Sequence, residues 1–331
     1  MIPKEQKLTK KVFQKGIDMK STRDAVGEAL IEAARTNDRV VVLTADLKES
    51  TRVKGFSEEY PERFIEVGVA EQTLASVASG MANYGKIPFI TSFAIFSPGR
   101  NWEQIRTTIA LNDVPVKIIG AHAGFSAGLD GGNHQCLEDL AIMRAMPNMI
   151  VVAPADFEET KKAVLEAVKN RKPTYIRVQR EVQPIFTSAK SPFKIGRAEV
   201  VWEDKNPQVA IIACGAQVYE SLLAAKDLEK KGIECLVINC HTIKPIDERV
   251  IIRSAKTTGA VVTVEEHQQN GGLGSAVSEV LAKNFPVPIE MVAVKDSFGE
   301  SGKYEELIKK HGLRKENIIE AVKEVLKRKN I

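Results

Sequence analysis

Apolar residues along this chain follow two periods that take turns. Short continuous runs, read as strands buried on both faces, alternate with stretches in which apolar residues recur every three or four positions, read as helices. Ser21 is placed to cap a helix running through Asn37, with Ala25, Ala29, Leu30 and Ala33 on one face. Residues 39–44, with Val-Val-Val-Leu at their centre, predict a strand, and 45–55 a loop. The run Phe64-Ile65-Glu66-Val67 ends at Gly68, and a helix opens at residue 70 and continues to Tyr84. That helix is rich in small residues (Ala75, Ser76, Ala78, Ser79, Gly80, Ala82), which suits close packing on all sides, including against another subunit. Strands near 88–91, 115–121, 149–153 and 174–178 then alternate with helices near 101–111, 137–146 and 156–170.

The periodicity lapses between Glu181 and Gly196, where Gln183-Pro184, Ser188 and Ser191-Pro192 mark a linker. Beyond it, strands near 198–202, 209–213, 234–239, 260–264 and 288–294 alternate with helices near 217–231, 247–256 and 273–284. Two helices, near 304–311 and 315–329, close the chain. Alternation at this spacing predicts parallel sheets covered by helices. The expected class is α/β, with two consecutive, mostly parallel-sheet α/β sandwich domains. The expected divisions are an N-terminal arm over 1–20, a first domain over 21–182, a linker over 183–196 and a second domain over 197–331. A length of 331 residues agrees with two domains at ~150 residues each.

Composition narrows the function. With 44% hydrophobic and 27% charged residues the chain reads as an ordinary globular protein, and no apolar segment reaches the ~18 residues of a membrane span. Charges scattered through residues 1–20 are unlike a secretory signal, so a cytoplasmic protein without membrane contact is expected. Those twenty residues hold six lysines against Glu5 and Asp18, which accounts for the whole net charge of +4. A basic excess on an arm, rather than on a folded face with interleaved aromatics, speaks against nucleic acid as a partner. Cys136, Cys214, Cys235 and Cys240 show no C-x-x-C spacing and read as reduced, mostly buried thiols. The histidines form no metal-ligand spacing, so no transition-metal site is expected.

Candidate chemistry gathers after the strands. Glu71 falls in the first turn of its helix, where a carboxylate can merely complement the helix dipole, an effect of ~0.3–1 kcal/mol. Phe93 and Phe96 follow the next strand, as core aromatics or as a wall for a planar ring. The loop from His122 to Gln135 carries two histidines, Asp130 and Asn133 among four glycines. It leaves the carboxyl end of a predicted parallel strand, where open α/β sheets bind ligands, and irregular loops of ~12–15 residues in compact domains are usually functional or disordered. Arg177 and Arg180 follow another strand end, as surface charges or as an anion clamp. Gly271-Gly272-Leu273-Gly274 opens a helix but lacks the third glycine of a dinucleotide turn, so a structural turn is the better reading. A phosphate P-loop is missing, and so is the Gly-Asp-Gly…Asn string that holds a diphosphate through Mg²⁺.

Taken in order, several strings resemble the C-terminal half of transketolase: Gly68-Val69-Ala70-Glu71-Gln72, Ser92-Phe93-Ala94-Ile95-Phe96, His122-Ala123-Gly124, and Gly128-Leu129-Asp130-Gly131-Gly132-Asn133-His134-Gln135. Glu138-Asp139, Pro147-Asn148, Pro154-Ala155-Asp156 and Val264-Glu265-Glu266-His267 with Gly271-Gly272-Leu273-Gly274 continue the resemblance, from about Thr22 onward. It implies a pyrimidine-binding domain followed by a C-terminal domain, without the family's diphosphate-binding domain. The chain is then expected to be one subunit of a split transketolase. Its partner would be a separate N-terminal subunit that holds the cofactor's diphosphate and Mg²⁺ or a similar divalent ion, the two self-associating into a heterotetramer.

The resemblance also implies roles. Glu71 would hydrogen-bond the pyrimidine ring of thiamine diphosphate and activate it, a task that needs a carboxyl able to share a proton. Phe93 and Phe96 would pack that ring, although the family's third aromatic is replaced by Gly99 or Arg100. Asp46 would line the cofactor pocket across the subunit boundary. Asp130 and His134 would bind sugar hydroxyls near the reacting carbons, with His134 also catalytic. His122, Arg180, Ser50 and Arg23 would hold the substrate phosphate. The implied reaction moves a two-carbon ketol unit from a ketose phosphate to an aldose phosphate. The beta subunit of a 2-oxoacid dehydrogenase and half of a 1-deoxyxylulose-phosphate synthase are the rival enzymes. A non-catalytic scaffold or regulator is the rival of another class. Asp130, His134, Gln135 and His122 together favour sugar chemistry.

Overall fold

A computed structural model describes residues 1–329. Six of the expected strands form one parallel sheet in the order Ile150–Val152, Thr174–Arg177, Lys117–Ala121, Ile87–Phe93, Val40–Thr44, Phe64–Glu66. The apolar runs are buried on both faces because the sheet is covered on both. Val40 and Val42 face one apolar cluster with Val26, Leu30, Phe89 and Val164. Val41 and Leu43 face the other, with Leu74, Ile90, Ile105 and Met143. The period-2 pleat sends alternate residues of one run to two different cores.

The second sheet runs Ile289–Val294, Val261–Gln268, Val209–Ala213, Cys235–Asn239, Glu199–Glu203, parallel except for the last strand, which is antiparallel. Its inner apolar face is continuous with that of the first sheet: Leu43, Ile90 and Met143 belong to the same cluster as Ile212, Ile238 and Val277. The fold is thus α/β, with two parallel-dominated sheets sharing one buried seam.

Three features depart from the expected divisions. The strand Thr242–Lys244, absent from the expectation, leaves the second domain and pairs antiparallel with Ile150–Val152 at the edge of the first sheet. Met19–Ser21 and Val182–Pro184 form a two-stranded antiparallel ribbon, so the expected boundaries at 20/21 and 182/183 both run through paired strands. The lysine-rich arm is not a free arm. It crosses to the second domain, where Val12 is buried, Phe13 meets Trp202 edge-on at 5.8 Å, and the terminal ammonium bonds Glu203 O and Asp204 Oδ1. Its lysines point outward while its few apolar residues do the packing, which the charge count concealed.

The helix Glu71–Asn83 buries Glu71, Leu74, Ala75, Ala78, Ser79 and Ala82. Its other face is open: Gln72, Thr73, Ser76, Val77 and Gly80 are exposed, as are Val69 and Tyr84 at its ends. Close packing on all sides is not achieved within this chain. Among the described residues no helix is long and apolar enough to cross a membrane.

Candidate active site

The chain leaves five parallel strands of the first sheet at their carboxyl ends, and every candidate residue but Arg23 lies at or just beyond such an end. Asp46 and Ser50 follow Val40–Thr44, Glu71 follows Phe64–Glu66, Phe96 follows Ile87–Phe93, His122 to His134 follow Lys117–Ala121, and Arg180 follows Thr174–Arg177. Arg23 comes instead from the first turn of the helix Thr22–Thr36, whose start is tied to Gln179 by bonds from Ser21 Oγ (2.9 Å) and the Arg23 amide (3.3 Å) to Gln179 O. Asp46 and His122 both have positive φ, 59° and 55°, an uncommon backbone for residues with a Cβ and one that clusters at functional sites.

Phe93 is the hub. The His122 ring stacks on it at 3.7 Å between centroids, Phe96 lies parallel to it at 5.9 Å, and His134 meets Phe96 edge-on at 5.5 Å. His122 is buried. Its Nε2 faces Arg23 Nη1 at 3.2 Å, and since a guanidinium only donates, Nε2 accepts and the ring proton sits on Nδ1. Burial, reinforced by Arg23 and Arg180, pushes the His122 pKa down to about 3, so the ring is neutral. Arg23 also donates to Ser50 O at 2.8 Å, so Ser50 enters the cluster through its carbonyl. Burial, then Arg52, lower the Arg23 pKa, yet a guanidinium stays charged.

Glu71 is 3% exposed at the helix start. Ser92 Oγ is 3.5 Å from its Oε1, Arg100 Nη1 is 4.0 Å from its Oε2, and Oε2 is buried without a hydrogen-bond partner. Arg100 thus brings a cation toward Glu71. His122 Nδ1 and Arg23 Nε are likewise buried and unpartnered. Buried polar atoms left without partners at the carboxyl ends of one sheet, together with the stacked aromatics there, offer groups that a polar, partly planar ligand can satisfy. The unpaired Glu71 oxygen and the Phe93–Phe96 wall fit a hydrogen-bonding heteroaromatic ring such as a pyrimidine. Asp130 lies farther out and ion-pairs with Arg180 at 3.2 Å, beside a cavity of about 520 Å³ that also touches Leu129 and Tyr304.

One reading changes and another holds. Arg177 is no anion clamp: it is buried and donates to Asp139 Oδ2 at 2.8 Å and to Glu266 O at 2.9 Å. The glycine-rich turn before Leu273–Asn284 is structural, because Glu265 fills the helix terminus, accepting from the amides of Leu273 (2.7 Å) and Gly274 (2.8 Å). Sequence reasoning missed Glu66, whose Oε1 accepts from the amides of Asp46 (2.7 Å) and Gly68 (2.9 Å) and so joins two site loops. It missed Ser126 too, which bonds Ala123 O and the Arg180 amide. Neither stands in a motif whose chemistry announces it. Among the described residues no group of three or more His, Cys, Asp or Glu side chains is placed to hold a metal ion.

Residues 18–184 match the family model of the transketolase pyrimidine binding domain, and 196–318 that of the transketolase C-terminal domain. The chain belongs to the transketolase family. It is 42% identical to a 6-deoxy-6-sulfo-D-fructose transketolase subunit of Clostridium sp. (strain MSTE9), over 93% of this chain and 95% of that protein. Against the Mus musculus transketolase it is 38% identical over 92% of its length, covering only 49% of that protein. Among solved structures, one described as a split gene transketolase, inactive beta4 tetramer, superposes with a TM-score of 0.87 at 43% identity, covering 93% of this chain and 98% of that one. The pyrimidine-binding domain implies dependence on thiamine diphosphate.

Proposed function

We propose that this chain is the C-terminal subunit of a split transketolase, moving a two-carbon ketol unit from a ketose phosphate to an aldose phosphate, and that it works only with a separate N-terminal subunit. The observation that carries the reading is the buried, unpartnered Glu71 Oε2, its other oxygen 3.5 Å from Ser92 Oγ, on a chain that matches the pyrimidine-binding and C-terminal domains. Thiamine diphosphate supplies, when bound, the nucleophilic carbon and the electron sink that C–C cleavage needs. Glu71 would hold a proton between its open oxygen and the pyrimidine ring, and Phe93 and Phe96 would orient that ring. Asp46 would line the pocket toward the neighbouring subunit.

His134 and Asp130 would bind the sugar hydroxyls near the reacting carbons, with His134 exchanging a proton there. Arg23, His122, Arg180 and Ser50 would receive the terminal anion, the neutral His122 donating from Nδ1. Mg²⁺ or a similar divalent ion would belong to the partner's share of the site, with the cofactor's diphosphate. The open face of Glu71–Asn83, with Val69 and Tyr84 exposed at its ends, suits a subunit contact in a heterotetramer. A cytoplasmic place in sugar-phosphate metabolism is part of the same proposal.

The test is reconstitution. The purified chain with thiamine diphosphate and Mg²⁺ should transfer no ketol unit, in keeping with the inactive tetramer described for its structural relative. Addition of a transketolase N-terminal section should restore transfer between sugar phosphates, and Glu71→Gln should lower kcat about 10²- to 10⁴-fold. Full activity of the chain alone would refute the subunit reading, and wild-type turnover of Glu71→Gln would remove that residue's role. A 6-sulfonated ketose belongs in the same assay, since a sulfonate offers the same cluster a terminal anion.

A further inference from the structure

In the motif Val264-Glu265-Glu266-His267, Glu265 caps a helix, while Glu266 faces the other domain. Glu266 sits on the second-domain strand Val261–Gln268, is 3% exposed, and points its carboxylate into the first domain. Oε1 accepts from the Phe125 amide at 2.6 Å. Oε2 accepts from the Gln179 side-chain amide and from Tyr304 OH at 2.9 Å. Its main-chain oxygen accepts from Arg177 Nη2 at 2.9 Å. A buried carboxylate with several converging donors is fully satisfied and holds all of them in place.

Two of these partners, Phe125 and Gln179, lead to candidate anion ligands. Phe125 lies three residues beyond His122 in the same loop, and its side chain is part of the second-domain core with Val264, Leu307 and Ile308. Gly124 between them has φ of 66°, and a Cβ there would collide with the Glu266 carboxylate, so only glycine lets the loop come this close. Gln179 directly precedes Arg180, and its carbonyl and amide hold Ser21, Thr22 and Arg23 at the start of the first helix. Segments bearing His122 and Arg180 therefore meet at one carboxylate, and the segment bearing Arg23 is joined to it one step away, through the Gln179 main chain. Side chains that must act together to about 0.5 Å need supporting groups of this kind.

We infer that Glu266 is a positioning residue for the substrate's terminal anion, and that supplying it is a functional contribution of the C-terminal domain to the site. The inference rests on the transketolase reading. The second domain adds a further brace on the outer side of the same loop, where Gln135 Nε2 donates to Glu300 O at 2.8 Å and Ser301 Oγ to Leu129 O at 2.7 Å. Through Glu266 the domain sets the spacing between guanidinium and imidazole groups that it does not itself carry.

The experiment compares the wild-type chain with Glu266→Ala, Glu266→Gln and Tyr304→Phe, each reconstituted with the N-terminal section, thiamine diphosphate and Mg²⁺. The kcat and KM values are measured for a ketose phosphate and for the same ketose without its phosphate. Glu266→Ala should raise KM for the phosphorylated sugar about tenfold or more and leave the unphosphorylated one within about twofold. Glu266→Gln, which still offers Phe125 an oxygen, should recover most of the loss. Where Glu266→Ala does not fold, Tyr304→Phe removes a single donor and should show the same discrimination at about two- to threefold. An unchanged ratio between the two sugars, or an equal loss on both, would overturn the assignment. Hydrogen–deuterium exchange on the full chain alone, expected to speed up at Phe125 and Gln179 in Glu266→Ala, needs no turnover. If the wild-type complex transferred no ketol unit, the functional reading would fail, while unchanged exchange would refute the role of Glu266 independently.

Discussion

At the residue scale the site is defined by neutral and unpartnered groups as much as by charged ones. His122 and His241 are both buried, and burial pushes each pKa down to about 3 from an ordinary 6.5. Neither ring should titrate between pH 5 and 8 in an NMR titration of histidine-labelled chain. The unfolded chain takes up protons at these positions below pH 6.5 while the folded one does not. The stability tied to the neutral rings is therefore complete above about pH 6.5 and is lost as pH falls toward 3, at up to about 1.4 kcal/mol per pH unit for each ring. Urea titrations at pH 4.5–7 on the wild type and on His241→Gln should show the acid slope shallower in the variant. Equal slopes would mean that the ring does charge in the folded state. Legibility differed sharply between residues. Glu71, His122, Asp130 and His134 stand in strings whose order resembles a family. Glu66 and Ser126 act through bonds to main-chain groups, which no residue type announces.

Elements show the second domain holding parts of the first. The six-residue helix Asp139–Arg144 is gripped at both ends: His267 Nε2 accepts from the Ala141 amide at 3.3 Å, and Lys244 Nζ donates to Arg144 O at 3.0 Å and Met146 O at 2.6 Å. A longer helix over 137–146 was expected from its apolar period, and capping from outside explains why so short a piece holds its shape. Glu265 plays the corresponding part for Leu273–Asn284, where no local side chain caps the start. Glu265→Ala leaves two buried amides without an acceptor and should cost about 2–4 kcal/mol. Glu265→Gln, retaining one carbonyl oxygen, should cost less. Urea midpoints measure both, and an alanine variant as stable as the wild type would exclude Glu265 as the cap.

For the whole molecule, the two sheets are too interlocked to behave as beads on a linker. The apolar seam from Leu43 through Met143 to Val277 is continuous, the strand Thr242–Lys244 completes the first sheet, and the arm closes over Trp202. Independent domains share small, polar interfaces, and this one is neither. Calorimetry on the isolated chain should therefore give one cooperative transition, with Trp202 fluorescence changing in step with far-UV circular dichroism. Two resolved transitions would show that the domains unfold separately. The linker expected from Pro and Ser punctuation begins inside a two-stranded ribbon, where Gln183 and Pro184 pair with Lys20 and Met19.

What the sequence determined by itself was local and ordered along the chain. Burial of Val40–Thr44 followed from its composition, the α/β class from alternating periods, and the candidate cleft from polar residues placed after strand ends. These depend on near neighbours, and a one-dimensional pattern records them. Tertiary structure alone decided which distant groups meet. It turned Arg177 inward to Asp139, laid the arm on the second domain, sent Thr242–Lys244 across to the other sheet, and set Glu266 between Phe125 and Gln179. A carboxylate's partners across 87 or 141 residues of chain depend on how two sheets pack, and packing geometry leaves no period in the sequence.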